Sequence, residues 1–216
     1  MFSQKWKIGL TIIAVILLSF LDSIIPSFGV PLALSVIFII YRWKKLPIKL
    51  LGFFRPKSWL KIVLIGLVVG IFIQVFDTYI LTPVYELIGI RTADLSSYDS
   101  IVGNKSMLFL LLAISWTTAG LGEELIYRSF FLWQIVAFFE DSKGKWIIGL
   151  TLSSILFGML HFPQGTAGII STGIAGFIIG LVYLKTNRNI WAAYFTHAIA
   201  NTIAVLIIYS GLHKLL

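Results

Sequence analysis

The 216-residue chain is 58% hydrophobic and only 12% charged, with a mean hydropathy of +0.96, whereas soluble domains carry roughly 25% charged residues. That composition excludes a soluble globular protein and points to an integral membrane protein. The net charge of +8 lies in short segments between apolar runs, the pattern of topogenic charge and not of a nucleic-acid-binding domain, while the lack of cysteine removes disulfides, thiolate catalysis and cysteine-ligated metals.

Along the chain, Met1–Lys7 followed by Ile8–Leu21 has the basic and apolar parts of a secretory signal. The run passes into Asp22-Ser23-Ile24-Ile25-Pro26 without a small-residue cleavage pattern, so it reads as a retained first helix. Further apolar segments cover residues 28–42, 60–81, 105–138, 146–161, 166–184 and 190–210. With the first at 8–25, this predicts an all-α, polytopic transmembrane bundle of about seven helices. Pro26 with Gly29, Pro47 with Gly52, and Pro83 mark breaks between the early segments. Residues 1–104 are expected to form N-terminal transmembrane helices with a basic loop, and residues 105–216 a catalytic helical core, within one integral membrane domain.

Placing the N-terminus in the cytoplasm puts 13 Lys and Arg residues in inner segments and 3 in outer ones, as the positive-inside rule requires. Trp6, Trp43, Trp59, Trp146 and Trp191 then fall at inner boundaries, where amphipathic rings are enriched. The stretch Arg42–Lys61 mixes seven basic residues with Leu50, Leu51, Phe53 and Phe54, and reads as a surface segment lying on anionic lipid. The outer loop Thr82–Asn104, with Glu86, Asp94 and Asp99, reads as a linker, with a cap as the alternative.

The segment 105–138 is too long for one crossing. Its 34 residues would measure roughly 51 Å as a helix, against a hydrocarbon core of about 30 Å. Either Thr117-Thr118-Ala119-Gly120-Leu121-Gly122 interrupts it or the stretch after Arg128 leaves the bilayer. Both options put Glu123 and Glu124 beside irregular or solvated backbone, tolerated only where protein or a water-lined cavity surrounds it.

Adjacent carboxylates at membrane depth are costly, about 2.5–3.5 kcal/mol on insertion scales for a central Asp or basic residue. Glu124 and Arg128 are four apart and share a helical face, so an ion pair accounts for Glu124. Glu123 needs another partner. Two later segments supply candidates: Phe157 with His161, and His197 with Asn201, each pair one turn apart on one face. Intramembrane ionisable groups usually face a bundle interior or an aqueous cavity, so Glu123, His161, His197 and Asn201 are expected to converge. Asp22, Gln74, Asp77 and Gln134 lie near interfaces or lack partners at a useful spacing and read as structural.

Chemically, Glu123 is basic enough beside Arg128 and a histidine to take a proton from water. His197 and Asn201 offer N–H donors to an oxyanion. The cluster therefore has the parts of a hydrolase with an activated water and no covalent nucleophile. The same atoms make a possible zinc site with Glu123, His161 and His197 as ligands and water as the fourth. The sequence does not separate these two mechanisms, and the cofactor is either none or Zn2+.

Together, Glu123-Glu124-x-x-x-Arg128, Phe157-x-x-x-His161 and His197-x-x-x-Asn201 resemble the three signature motifs of the CPBP family of intramembrane proteases. That family, also called Abi, contains the CAAX prenyl endopeptidases and bacteriocin-processing and immunity proteins. The resemblance covers about residues 105–210. It implies that Glu123 activates water together with His161, that His197 and Asn201 form the oxyanion hole, that Glu124 and Arg128 position the first motif, and that Phe157 packs beneath His161. The family has been described both as metalloproteases and as glutamate proteases.

The implied activity is intramembrane hydrolysis of a peptide bond in a membrane-associated peptide or protein, with the lipid bilayer as the other partner and no nucleic acid. Small size and Lys-rich, cysteine-free character resemble a bacterial member in the cell (plasma) membrane, where peptide maturation, immunity or protein turnover suits the substrate better than prenylated proteins. The sequence has no H-E-x-x-H, no G-x-S-x-G and no membrane aspartate pair on facing helices. One alternative is a non-catalytic bacteriocin-immunity or partner-binding membrane protein using the same polar cluster. Another is a proton-coupled transporter, disfavoured by the absence of a repeat or of matched broken helices.

Overall fold

A computed structural model describes residues 13–18, 20, 28–43, 45–139 and 144–214, and these are all-α. Residues 13–18 are helical. The question of signal against retained first helix, and Asp22, fall largely outside the described residues. The later helices are α1 (Gly29–Trp43), α2 (Trp59–Leu87), α3 (Lys105–Phe138), α4 (Lys145–Met159), α5 (Gly165–Lys185) and α6 (Ile190–Tyr209). Four helical stretches are long and apolar enough to cross a membrane, namely α2, α3, α5 with its preceding turn (Phe162–Lys185), and α6. The protein is thus a polytopic helical membrane protein, in agreement with the predicted class.

Local chemistry sets the helix starts. Ser58, Asn104 and Asn189 precede α2, α3 and α6 in extended conformation, and each side chain accepts a backbone N–H of the first turn, satisfying a donor that the helix leaves unpaired. Pro83 does not break the chain where expected: α2 runs through it to Leu87. A π-helical turn at Asp77–Leu81 precedes the proline, and Thr82 N–H bonds back to Asp77 O. The wider turn accommodates a ring that lacks an N–H and would clash with an ordinary α-helical carbonyl.

α2 and α6 pack along a shared seam because Gly66 and Gly70 leave room for it. A Cβ on Gly66 would lie 2.7 Å from Phe195 Cβ, and one on Gly70 3.0 Å from Ile199 Cγ2. Small residues four apart are how membrane helices approach closely when no hydrophobic driving force separates them from lipid. α4 and α5 use the same device, with Gly158 set against Ile169 O and Gly173.

Neither flanking segment behaves as a simple connector. Within the basic stretch 42–61, Leu51 and Gly52 are buried, Gly52 O accepts from Ile190 N at 3.0 Å, and Leu51 O accepts from Ser129 Oγ at 2.6 Å. The segment therefore folds under the helix ends, leaving Leu50 and Phe54 exposed. Gly52 takes φ +84°, which a side chain would strain, and a Cβ there would lie 2.8 Å from Arg188 O. At the opposite end, residues 82–104 continue from α2 and, although mostly exposed, are tied to the bundle rather than left as a free linker. Asp94 N bonds Gln164 O, Gly103 N bonds Tyr209 O, and Ile101 is buried.

Candidate active site

The 34-residue α3 is continuous, so the expected interruption at 117–122 is absent as a break. Instead the helix widens into π-helical geometry over Ser115–Glu123 and again over Leu125–Phe131. Such turns recur at functional sites. Its excess length runs past the other helix ends at the basic side of the bundle: Arg188, between α5 and α6, stands over Trp133 and Trp146 at 4.8 and 5.2 Å from their centroids. Trp133 is thus level with the α5–α6 turn, and Glu123 lies ten residues, roughly 15 Å, beyond it. His197 lies about 10 Å beyond the same turn, so the two reach similar depth despite the unequal helix lengths.

Close approach of α3 and α6 brings them together. A Cβ on Gly120 would stand 3.2 Å from Ala198 Cβ, and Trp116 Nε1 donates to Thr202 Oγ1 at 3.0 Å. With only small groups between the helices at this level, His197 Nδ1 reaches Glu124 Oε1 at 2.8 Å. Glu124 Oε2 lies 3.1 Å from Arg128 Nε. The guanidinium continues outward, Nη2 donating to Gly176 O at 2.7 Å. Glu124 is 0% exposed and Arg128 2%, so the pair is taken out of water, with Arg128 Nη1 buried and not hydrogen-bonded.

Glu123, next in the chain, has a different setting. Its Oε2 lies 3.8 Å from His197 Nε2, and its side chain is 18% exposed. His197 therefore stands between the two carboxylates, bonded through Nδ1 to one and facing the other through Nε2.

Phe157 holds the cluster from the α4 side. Its ring packs against His161 at 5.1 Å, His197 at 5.9 Å and Tyr127 at 4.9 Å between centroids, and the Arg128 guanidinium lies 5.0 Å from its centroid. The stacked cation adds an attraction to the ring face. A Cβ on Gly176 would approach Phe157 Cδ1 to 2.8 Å, so glycine keeps both ring and guanidinium in place. His161 Nδ1 pairs with Phe157 O at 3.0 Å, which makes Nε2 the nitrogen left for other chemistry.

The structure therefore gathers Glu123, Glu124, Arg128, Phe157 and His197, and brings His161 to the same cluster through the Phe157 ring. Asn201 is half-buried one turn beyond His197 and makes no hydrogen bond to these groups among the described residues. Two features were not read from sequence: the second bond of Glu124, to His197, and the Gly176 carbonyl that anchors Arg128. The two oxygens of a carboxylate, only one of which Arg128 occupies, were the available signal for the first.

Glu123, His161 and His197, the expected zinc ligands, would meet an ion through a carboxylate oxygen and the two Nε2 atoms. Among the described residues no three His, Asp or Glu side chains are gathered closely enough to ligate one ion. His197 Nδ1 is committed to Glu124 and His161 Nδ1 to a backbone carbonyl.

A polytopic helical membrane protein with two glutamates and a histidine joined inside its bundle is the class that fold and site define. Residues 105–203 match the model of the Rce1-like type II CAAX prenyl endopeptidases, and the protein carries a domain of this family of proteases. The matched span contains every residue of the cluster described above. No curated protein and no solved structure matches the chain.

Proposed function

We propose that the protein is an intramembrane endopeptidase that cleaves a membrane-associated peptide or protein with a water activated at Glu123, and that residues 105–216 are the catalytic core braced by residues 1–104. The supporting observation is the unequal burial of the two glutamates: Glu124 is sealed between Arg128 and His197, whereas Glu123 is 18% exposed beside His197 Nε2. Only Glu123 is open to water and substrate, so it is the base and Glu124 the positioning residue.

In this reading Glu123 and His161 Nε2 hold the attacking water. Glu123 takes a proton as the water oxygen bonds to the scissile carbonyl carbon. The carbonyl electrons move onto oxygen, where His197, carrying a proton on Nε2, and the Asn201 amide donate hydrogen bonds. Collapse of that intermediate breaks the C–N bond, and Glu123 returns its proton to the leaving amine. Glu124 fixes the His197 ring by accepting from Nδ1–H, and Arg128 holds Glu124. No step requires a metal.

The physiological setting follows as part of the proposal: a bacterial plasma membrane, with peptide maturation, immunity or protein turnover as the role. Comparative peptidomics of membranes containing the wild type or Glu123→Gln tests the reading. Fragments are expected with the wild type and not with the variant, at equal membrane abundance. An identical fragment pattern would remove Glu123 from the chemistry. The non-catalytic immunity alternative requires protection to survive in Glu123→Gln.

A further inference from the structure

The α4–α5 seam opens toward lipid in a groove of about 400 Å³, within the roughly 300–1,000 Å³ usual for ligand sites. Its floor is Ser154 and Gly173, and its walls are Ile155 and Met159 of α4 with Ile170 and Ile174 of α5. Ile155 and Met159 are 53% and 55% exposed, whereas Ser154 is buried at 5%. Along α4 the groove runs from Thr151 to Met159, about 9 to 21 Å beyond Lys145 at the inner boundary. It therefore lies wholly inside a hydrocarbon core of about 30 Å.

Ser154 is what distinguishes this groove from an ordinary lipid-facing valley. Its hydroxyl makes no hydrogen bond among the described residues, although it lines the groove. The neighbouring Ser153 donates to Tyr127 O at 3.0 Å, and Thr117, Thr196 and Thr202 each bond back to the carbonyl four residues earlier. An unpaired hydroxyl in hydrocarbon is costly, and a lipid tail lying on the isoleucines would leave it unpaired. A helix that brings a serine or threonine to the same point satisfies it. Gly173 keeps the space open for a close approach, since a Cβ there would meet only Ser154 O at 3.5 Å and Gly158 Cα at 3.8 Å, both ordinary contacts.

We infer that this groove docks a membrane-spanning helix of the substrate, seated by a small or hydroxyl-bearing residue against Ser154 and Gly173. The identity of that helix as substrate rests on the protease reading and on position. Phe157 is 3% exposed and packs against His161 and His197 on the inner side of α4, behind Ile155 and Met159. Groove and catalytic cluster thus occupy two sides of the same turns, and Met159 precedes His161 by two residues. A chain leaving the docked helix beside Met159 has to cross roughly one helix diameter, about 10 Å, to reach the cluster. About three extended residues cover that distance.

Docking can be measured without cleavage. Full-length protein carrying Glu123→Gln is reconstituted in liposomes with fluorescent transmembrane peptides of about 21 residues, and energy transfer from labelled protein reports association. One peptide is leucine-rich with a central Ser-x-x-x-Gly; the control has leucine at both positions. The first should associate about threefold or more tighter. Ser154→Ala should weaken that preference, and Gly173→Leu, which fills the groove, should erase it; Ile155→Trp supplies the block if Gly173→Leu does not accumulate. Equal association of the two peptides, as for a groove that holds lipid tails alone, would overturn the assignment. So would a preference that survives in full either Ser154→Ala or the block. Energy transfer between protein copies that the same block abolishes would give the groove to a second copy and reject the substrate helix. Failure of the protease reading shows separately, as the absence of Glu123-dependent fragments from the otherwise unmodified protein.

Discussion

Glu124 and His197 meet at 2.8 Å, Oε1 to Nδ1, although 73 residues separate them in the chain. That contact joins α3 to α6 at the level where Gly120 and Ala198 let the helices close. It also fixes which imidazole nitrogen faces Glu123, since one nitrogen is consumed by Glu124 and the other lies 3.8 Å from Glu123 Oε2. Two adjacent residues of one helix thereby act on the same histidine from two sides. The fold and the chemistry share that contact, so its two carboxylates should fail in different ways.

Glu123→Gln should lower cleavage at least about 100-fold with little change in thermal stability, because general-base groups contribute roughly 10²–10⁴ in rate. Glu124→Ala should lower both. It leaves the buried Arg128 without its counter-ion, and losing one partner of a buried pair costs about 3–5 kcal/mol. Thermal unfolding in detergent, read beside cleavage, separates the two. Equal destabilisation by both variants would contradict the division of roles drawn from their burial.

Glycine substitutions should rank by what the new methyl meets. In Gly158→Ala the Cβ would collide with Ile169 O, a backbone atom that gives way only if α4 and α5 separate. In Gly149→Ala it would lie 3.0 Å from Leu132 Cδ1 and Val136 Cγ2, side-chain ends that can rotate. The first should lower the unfolding midpoint strongly and reduce activity by moving Phe157, which is adjacent in sequence. The second should be tolerated to within about 1.5 kcal/mol. A reversed order in the measured midpoints would show that the α4–α5 seam is not as tight as the geometry requires.

Much of the site was legible because each motif occupies one helical face and obeys four-residue spacing. Glu124 with Arg128, Phe157 with His161, and His197 with Asn201 follow from helix geometry alone. Segment 105–138 was also delimited closely, since apolar composition reports where α3 starts and ends. Its interior was less readable. A π-helical turn keeps the backbone continuous while changing which residues share a face, and composition carries no clear mark of it. The same limit hid the continuation of α2 through Pro83. The basic segment was assigned to lipid from its charge, but Leu51 and Gly52 are spent on contacts with Ser129 and Ile190 that no local pattern announces.

Those contacts make the basic segment a structural clasp. Ser129→Ala removes the buried bond to Leu51 O, and Asn189→Ala removes both the α6 cap and the bond from Nδ2 to Phe54 O at 3.0 Å. Each should cost about 1–2 kcal/mol. The double variant should be cut by trypsin after Lys57 faster than the wild type in inside-out vesicles, Arg55 being protected by the following Pro56. Equal cleavage rates for wild type and double variant would show that the clasp is already open in the membrane.

Orientation gives a test that depends on neither catalysis nor stability. The charge distribution places Lys57 in the cytoplasm and Ser96 outside, and both positions are exposed. Because the chain has no cysteine, Lys57→Cys and Ser96→Cys each introduce a single reactive thiol with no background. An impermeant maleimide added to intact cells should label Ser96→Cys and spare Lys57→Cys, and permeabilisation should bring the second to the level of the first. The opposite pattern would invert the bundle and place the Glu123–His197 cluster nearer the outer leaflet. Labelling therefore fixes the face from which a peptide reaches Glu123, and with it the compartment in which the substrate must be sought.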